Sequence, residues 1–260
     1  MSLSYFAVVP HPPLIIPEIA GENHALVKKT FEAMKVIAKH FSQSEVDTLL
    51  CISPHAKLAS FAMTVCYPES YHGDFSGFGH SEIAIISDSD KEIASGLIFE
   101  AKKRGISLNI EYSGLLDHGA MVPLYFLKKF TDYHFKFVEI GYSGLSVADH
   151  LKFGELIGDV IKKTKTRVAL IASGDLAHRH FDNQYKKYSK KFDDLVMDTI
   201  SSGSLDRIAS FPPDLVEFAG ECGYRSLLIA SGAIKEKKNK IKLISYENPF
   251  GVGYLVAEWR

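Results

Sequence analysis

The sequence predicts an α/β fold, with a mostly parallel central sheet and helices on both of its faces. Strand and helix patterns alternate along the whole chain, without a linker or a low-complexity tract between them. Several of the strand patterns are apolar throughout, which is typical of parallel strands buried on both faces. With 260 residues, 46% of them hydrophobic, the chain can bury a sizeable core. We therefore expect residues 1–260 to form a single domain.

The first half of the chain alternates between short apolar strands and amphipathic helices. In chain order, strands are predicted at residues 5–9, 46–52, 61–67, 82–86 and 108–112, and helices at 22–41, 88–104 and 120–130. Asp88 or Ser89 is expected to cap the second helix, which Gly105 ends, and Pro123 fits the first turn of the third. Residues 69–80, rich in glycine and aromatic side chains, are predicted to form an ordered surface loop.

The second half continues the alternation. Strands are predicted at residues 135–140, 167–172, 241–247 and 253–258, and helices at 146–163, 182–201 and 221–233. Ser146 opens the first of these helices, and Gly203 closes the second. Short helical turns are expected at residues 205–217, and the basic run 235–240 is predicted to be a solvated connection.

The composition excludes several broad classes of function. The net charge is -1, so the chain lacks the basic face that nucleic acid or a membrane surface would require. No apolar run reaches the length of a membrane span, and the N-terminus does not resemble a signal peptide. Three cysteines, an odd number without metal-ribbon spacing, suit a reducing compartment. We therefore expect a cytoplasmic protein that binds neither nucleic acid nor membranes.

Three apolar strands are each followed closely by a histidine. His11 lies between prolines after the first strand, His55 follows Pro54 after the second, and His178 follows the strand at 167–172. The carboxyl ends of parallel strands meet at one edge of an open sheet, where α/β proteins bind their ligands. Neutral imidazoles on rigid loops suit a first-row transition metal. We interpret this pattern as a metal-centred active site, in which His178 is a third ligand or a general base.

Other side chains could complete such a site. Glu221 would form, with two histidines, the facial triad of non-haem Fe(II) oxygenases. Cys222 beside it is either a buried apolar filler or a soft ligand, in which case copper or zinc is expected. His118 precedes a helix N-terminus and could contact substrate oxygens, with Asp117 as the helix cap. His180 is expected to be solvated, and the other histidines are assigned no role.

Five motifs occur in the order found in class III extradiol ring-cleavage dioxygenases. They are Pro10-His11-Pro12-Pro13, Ser53-Pro54-His55, Asp117-His118-Gly119 with Val122-Pro123-Leu124, Ser173-Gly174-Asp175-Leu176-Ala177-His178 and Gly220-Glu221-Cys222-Gly223. With Gly73-Asp74-Phe75 and the closing segment 246–254, the chain is most similar to the subgroup related to the catalytic chain of protocatechuate-type dioxygenases and to Memo proteins. The resemblance covers essentially the whole chain and implies one extradiol-dioxygenase-like or Memo-like domain over residues 1–260.

The resemblance also implies an activity. The protein would be a non-haem Fe(II)-dependent dioxygenase that uses dioxygen to cleave a small catechol-type aromatic ring next to its hydroxyls. The oligomeric state stays open, although many such enzymes pair, so the resemblance allows a homodimer. In the implied roles, His11, His55 and Glu221 bind Fe(II), His178 acts as acid and base, and His118 contacts substrate or oxygen.

Two alternatives stay open at this point. Memo proteins use a cysteine near the carboxylate position, so Cys222 is an alternative ligand to Glu221, in a copper- or iron-binding protein with a redox or interaction role. The same cluster around zinc could instead activate water in a metal-dependent hydrolase. Members of the subgroup also occur with a second domain linked to a radical-SAM protein, which we expect this chain to lack because its last strand closes the sequence.

Overall fold

The computed structural model describes residues 3–234 and 241–259, and it contains a central eight-stranded sheet. The strands of the described residues are β1 Leu3–Val9, β2 Thr48–Ser53, β3 Met63–Cys66, β4 Ser70–Phe75, β5 His80–Asp88, β6 Leu108–Glu111, β7 Lys136–Gly141, β8 Val168–Ser173, β9 Lys242–Glu247 and β10 Tyr254–Trp259. The sheet order is β6-β3-β7-β2-β8-β1-β10-β9, in which β7, β2, β8 and β1 are parallel neighbours. Antiparallel pairs flank them on both sides, between β3 and β7 and between β1 and β10. The predicted α/β class with a mostly parallel sheet is confirmed.

Helices cover both faces of this sheet. They are α1 Pro17–Ala20, α2 Lys28–Gln43, α3 Lys91–Arg104, α4 His118–Lys129, α5 Val147–Lys163, α6 Lys186–Ser201, α7 Pro213–Ala219 and α8 Tyr224–Ile234. Successive side chains of β1 enter opposite cores, as the two-residue period of a strand requires. Phe6 and Val8 pack with residues of α3, α5, α6 and α8. Tyr5, Ala7 and Val9 pack on the other face with residues of α2 and α4.

Helices α5 and α8 meet through their backbones. A Cβ added at Gly154 would lie 2.0 Å from the carbonyl oxygen of Ile229, and one at Gly232 would lie 2.3 Å from that of Leu151. Glycine is therefore required at both positions, because any side chain would force the helices apart. This contact sets how closely α8 lies against α5.

The segment at residues 69–80, predicted to be a loop, instead contains β4 and the start of β5, which form an antiparallel hairpin. Tyr71 and Phe75 are fully buried, and Gly73 lies between them against the side chain of Met121. The strand alternation was hidden because a glycine occupies the tightly packed position between the two aromatic residues.

Some boundaries also differ from the prediction. Asp90, rather than Asp88 or Ser89, caps α3, because its carboxylate accepts a hydrogen bond from the amide of Ile93 (3.0 Å). The basic run 235–240 lies outside the described residues. Among the helices that the structure describes, none combines the length and the apolar character needed to span a bilayer.

Candidate metal centre

The loops that follow β2, β8 and β1 lie side by side at the carboxyl edge of the sheet, because these strands are parallel neighbours in that order. Backbone contacts join the loop after β1 to the loop after β8. The amide of Gly174 donates to the carbonyl of Val9 (3.0 Å), and the amide of His11 donates to Oδ1 of Asp175 (3.0 Å). These contacts hold the first histidine firmly over the strand ends.

The tautomer of His11 follows from its hydrogen bonds. The Ser173 hydroxyl donates its single proton to the carbonyl of Gly119 (2.6 Å), so its oxygen accepts from Nδ1–H of His11 (3.0 Å). With the proton on Nδ1, the neutral imidazole has a free lone pair on Nε2. His11 therefore presents a metal-binding nitrogen to the space above the strand ends.

Three imidazoles share that space. The Nε2 atoms of His11 and His55 are 3.1 Å apart, and the ring of His118 stacks on that of His55 with centroids 4.1 Å apart. One nitrogen from each ring lies within 4.8 Å of the other two, a spacing at which they could hold one metal ion. Two of these residues come from strand ends, whereas His118 comes from the first turn of α4.

The electrostatics keep these rings uncharged. Burial lowers the pKa of His11 well below its usual range, and the neighbouring rings of His55, His118 and His178 lower it further. Burial also lowers the pKa values of the other three histidines. Neutral imidazoles are the form that binds metals, so the arrangement suits a cation better than an additional proton.

A thiol and a carboxyl lie on the other side of His11. Sγ of Cys222 is 3.6 Å from Nε2 of His11 and 3.7 Å from Nε2 of His178, and Oδ2 of Asp175 is 4.0 Å from each of these nitrogens. His11, Asp175 and Cys222 form a second group whose donor atoms all lie within 4.8 Å of one another. Burial raises the pKa of Asp175 to about 7 and raises that of Cys222 above its ordinary value.

Glu221 faces a different part of the molecule. Both Glu221 and Cys222 precede α8, which begins at Tyr224, and the Glu221 carboxylate accepts a hydrogen bond from the amide of Tyr224. The Glu221 side chain lines a cavity of about 750 Å³ together with residues that include Phe211 and Arg225. Of the two groups of donors that contain His11 within the described part of the chain, one includes Cys222 and neither includes Glu221.

Asp193 of α6 forms hydrogen bonds with the loop that carries His178. Oδ1 of this buried carboxylate accepts from the amide of Ala177 (2.9 Å), while Oδ2 contacts Nε2 of His180 (2.7 Å) and accepts from the Tyr246 hydroxyl (2.6 Å). The expectation that His180 is solvated is wrong: its side chain is 8% exposed. His178 itself is partly open to solvent.

Asp193 was not anticipated from the sequence, although a signal was available. It occupies the same helical stripe as Ser189, Val196 and Ile200, all of which are buried. A carboxylate on an apolar stripe needs buried donors. Here the donors come from the His178 loop and from β9.

An aromatic side chain flanks the cluster at its open side. The short 3₁₀ turn Ser76–Phe78, at the tip of the β4–β5 hairpin, brings the Phe78 ring to 5.7 Å from the His118 ring, edge to face. Phe78 is 44% exposed, so it offers an apolar surface beside the imidazoles.

The chain is similar to several known proteins. A family model described as the catalytic LigB subunit of aromatic ring-opening dioxygenase matches residues 5–257. The chain is 30% identical over 270 residues to a Clostridium acetobutylicum protein, covering 99% of this chain and 58% of that protein. It is thus little more than half as long as that relative.

Two further similarities cover nearly the full length of both partners. The chain is 24% identical over 276 residues to an Escherichia coli 3,4-dihydroxyphenylacetate 2,3-dioxygenase, covering 99% of this chain and 98% of the enzyme. An uncharacterized protein from Escherichia coli K12 has a similar crystal structure, with a TM-score of 0.68 at 13% identity over 98% of this chain and 99% of the other. The structural similarity concerns the fold alone.

Proposed function

The chain belongs to the family of catalytic LigB subunits of aromatic ring-opening dioxygenases, and from this membership we propose that it is a non-haem Fe(II)-dependent extradiol dioxygenase. Residues 1–260 act as one catalytic domain that cleaves a catechol-type ring next to its hydroxyls. The observation that carries the proposal is the unprotonated Nε2 of His11, which faces a second imidazole, a thiol and a carboxyl at the sheet edge.

The donor set fits a divalent transition metal. His11 belongs to both groups of donors, so it is the ligand on which the proposal depends most. His55 supplies a second imidazole nitrogen, and Asp175 is the nearest carboxyl to His11, as a site of two histidines and one carboxylate requires. Glu221, the carboxylate expected from the sequence, would first have to release the amide of Tyr224.

The remaining residues orient the substrate and move protons. Fe(II), when bound, supplies Lewis acidity and the one-electron chemistry that dioxygen requires. His178 is neutral, because burial lowers its pKa, and it accepts a proton from a substrate hydroxyl at Nε2. His118 contacts a substrate oxygen, and Phe78 packs against the aromatic ring.

The test is anaerobic loading of the purified protein with Fe(II), followed by catechols and oxygen. The panel includes 3,4-dihydroxyphenylacetate, because the chain resembles an enzyme named for that substrate. We expect a yellow ring-opened product with at least one catechol, and its loss in His178→Ala with iron still bound. Iron binding without product across the whole panel would overturn the proposal.

A second candidate function follows from Cys222, whose sulfur is 3.6 Å from Nε2 of His11. A thiolate prefers copper or zinc to Fe(II), so a Memo-like metal-binding protein with a redox or interaction role is the alternative. The two candidates differ in the third donor. Metal content of Asp175→Asn, Cys222→Ala and Glu221→Gln, each offered iron, copper and zinc, separates them. If metal binding depends on Cys222 and the protein prefers copper, the second candidate is favoured. If metal binding depends on Asp175 and the protein prefers iron, the first is favoured.

A further inference from the structure

A buried acid lies outside the histidine cluster. Glu139 is in the middle of β7, 3% exposed, and its Oε2 accepts from the Cys66 thiol (3.4 Å). Its backbone amide donates to the Tyr71 hydroxyl (3.2 Å). The charged groups that act on it are Asp117 and Glu111, both acids. The second carboxyl oxygen, Oε1, finds no donor among the described residues, which is costly for a buried polar atom.

Asp117 also has a buried carboxylate oxygen that lacks a hydrogen-bond donor among the described residues. Its Oδ1 accepts from the Ser53 hydroxyl (2.7 Å) and the amide of Ala120 (3.2 Å), whereas its Oδ2 is buried without a donor among the described groups. The Asp117 and Glu139 side chains are within hydrogen-bonding contact of each other. Two ionised carboxylates in contact would repel, but one proton between them satisfies both orphaned oxygens.

Asp117 connects two parts of the metal centre. It caps α4 directly before His118, so its position sets where that ring lies. It also orients Ser53, whose oxygen accepts from the backbone amide of His55 (3.2 Å). Any displacement of Asp117 would therefore reach both the His55 loop and the first turn of α4.

We propose that Glu139 is a neutral carboxylic acid that donates a hydrogen bond to the Asp117 carboxylate, and that it thereby positions His55 and His118. The proton is assigned to Glu139 because Oδ1 of Asp117 already accepts two hydrogen bonds, whereas among the described residues the Glu139 carboxyl accepts one, from the Cys66 thiol. Burial and the adjacent acids raise the pKa of Glu139 well above its usual range. Cys51, Cys66 and Tyr71, the other titratable groups around it, have pKa values raised by burial, so they stay neutral as well.

The protonation of Glu139 can be tested without any metal or activity. Infrared spectra of the wild type and Glu139→Gln at neutral pH are compared in the region of the carboxylic-acid carbonyl stretch. We expect a band in the wild type that the glutamine variant lacks. Spectra that coincide in this region would overturn the proposal.

The positioning role, which rests on the proposed metal site, needs a pair of variants. Glutamine donates to Asp117 as the acid does, whereas leucine of similar size cannot. We expect Glu139→Gln to bind Co(II) or Fe(II) within about threefold of the wild type and Glu139→Leu to bind about 10–100-fold more weakly, the usual effect of removing a group that orients a ligand. Equal losses of metal affinity in the two variants, or wild-type affinity in Glu139→Leu, would contradict the positioning role.

If Glu139→Leu does not fold, the infrared band and the metal affinity of Glu139→Gln still test the proposal. A tenfold or larger loss of metal affinity in Glu139→Gln would then overturn the positioning role. Failure of catechol cleavage with the band present and metal affinity preserved in Glu139→Gln would instead remove the dioxygenase proposal alone.

Discussion

Polar groups are arranged differently at the two ends of the parallel strands: the amino edge, where these strands begin, and the carboxyl edge, where they end. At the amino edge, acids face donors: the buried Glu258 accepts from the Tyr5 hydroxyl (2.8 Å) and contacts Nδ1 of His40 (2.8 Å), and the partly exposed Asp47 pairs with Arg167. At the carboxyl edge, neutral imidazoles face one another with a lone pair between them. Polar groups that satisfy each other stabilise the fold, whereas groups left facing each other create a site for a ligand. Substitutions at the two edges should therefore have different consequences.

The largest effect is expected at the carboxyl edge. His11→Gln removes the nitrogen shared by both groups of donors, so metal affinity should fall by at least ~100-fold, beyond the effect of losing a supporting group. Metal titration followed by equilibrium dialysis measures the change. His40→Gln at the amino edge is the matched control and should bind metal as the wild type does. Wild-type affinity in His11→Gln would refute the contrast between the edges.

The next effect belongs to the amino edge. Tyr5→Phe removes a buried hydrogen bond to Glu258 without changing the packing, so the free energy of unfolding should fall by about 1–3 kcal/mol. Urea denaturation measures this loss. Metal affinity should stay unchanged. A loss of metal binding comparable to that of His11→Gln would mean that the two edges are not independent.

Asp193 provides a further test of the comparison, because it is a buried acid with hydrogen-bond partners that lies beside the carboxyl edge. Asp193→Asn leaves at least one of the Ala177, His180 and Tyr246 contacts unmade, so the His178 loop should loosen. We expect catalytic turnover to fall by about tenfold with metal affinity preserved. Steady-state kinetics on the iron-loaded variant test this. Reduced metal affinity with unchanged turnover would assign Asp193 to the metal itself.

The last effect concerns pH. The folded state holds a proton on Glu139 that the unfolded state releases above its ordinary pKa, so wild-type stability should decline with rising pH through this group. Glu139→Gln lacks this contribution. Its stability relative to the wild type should therefore increase between about pH 5 and 8, by at most ~1.4 kcal/mol per pH unit. Parallel stability curves for the two proteins would show that Glu139 is ionised in the folded state.

The fold was largely predictable because its signals are local. Uniformly apolar strands such as β2 and β8 indicate a parallel sheet, and parallel strands bring residues after their carboxyl ends together. The arrangement of His11 beside His55 follows from this topology. The hairpin at residues 69–80 escaped prediction because Gly73 packs against Met121 of α4, a residue 48 positions further along the chain.

The finer features of the site depend on geometry that the sequence does not display. Glu221 and Cys222 are adjacent, and only the turn before Tyr224 decides that the thiol faces His11 while the carboxylate faces the opposite cavity. Asp175, which the sequence places three residues before His178, accepts a hydrogen bond from the amide of His11 and also lies among the donor atoms.

The backbone contact between α5 and α8 also affects the position of the Cys222 thiol. A methyl group at Gly154 would press on the carbonyl of Ile229 and displace α8, which begins two residues after Cys222. Gly174 and Gly223 meet equally closely immediately before α8. The position of the Cys222 thiol thus depends on glycine contacts that contain no metal-binding side chain, so a substitution that spares every polar residue of the metal centre can still alter it.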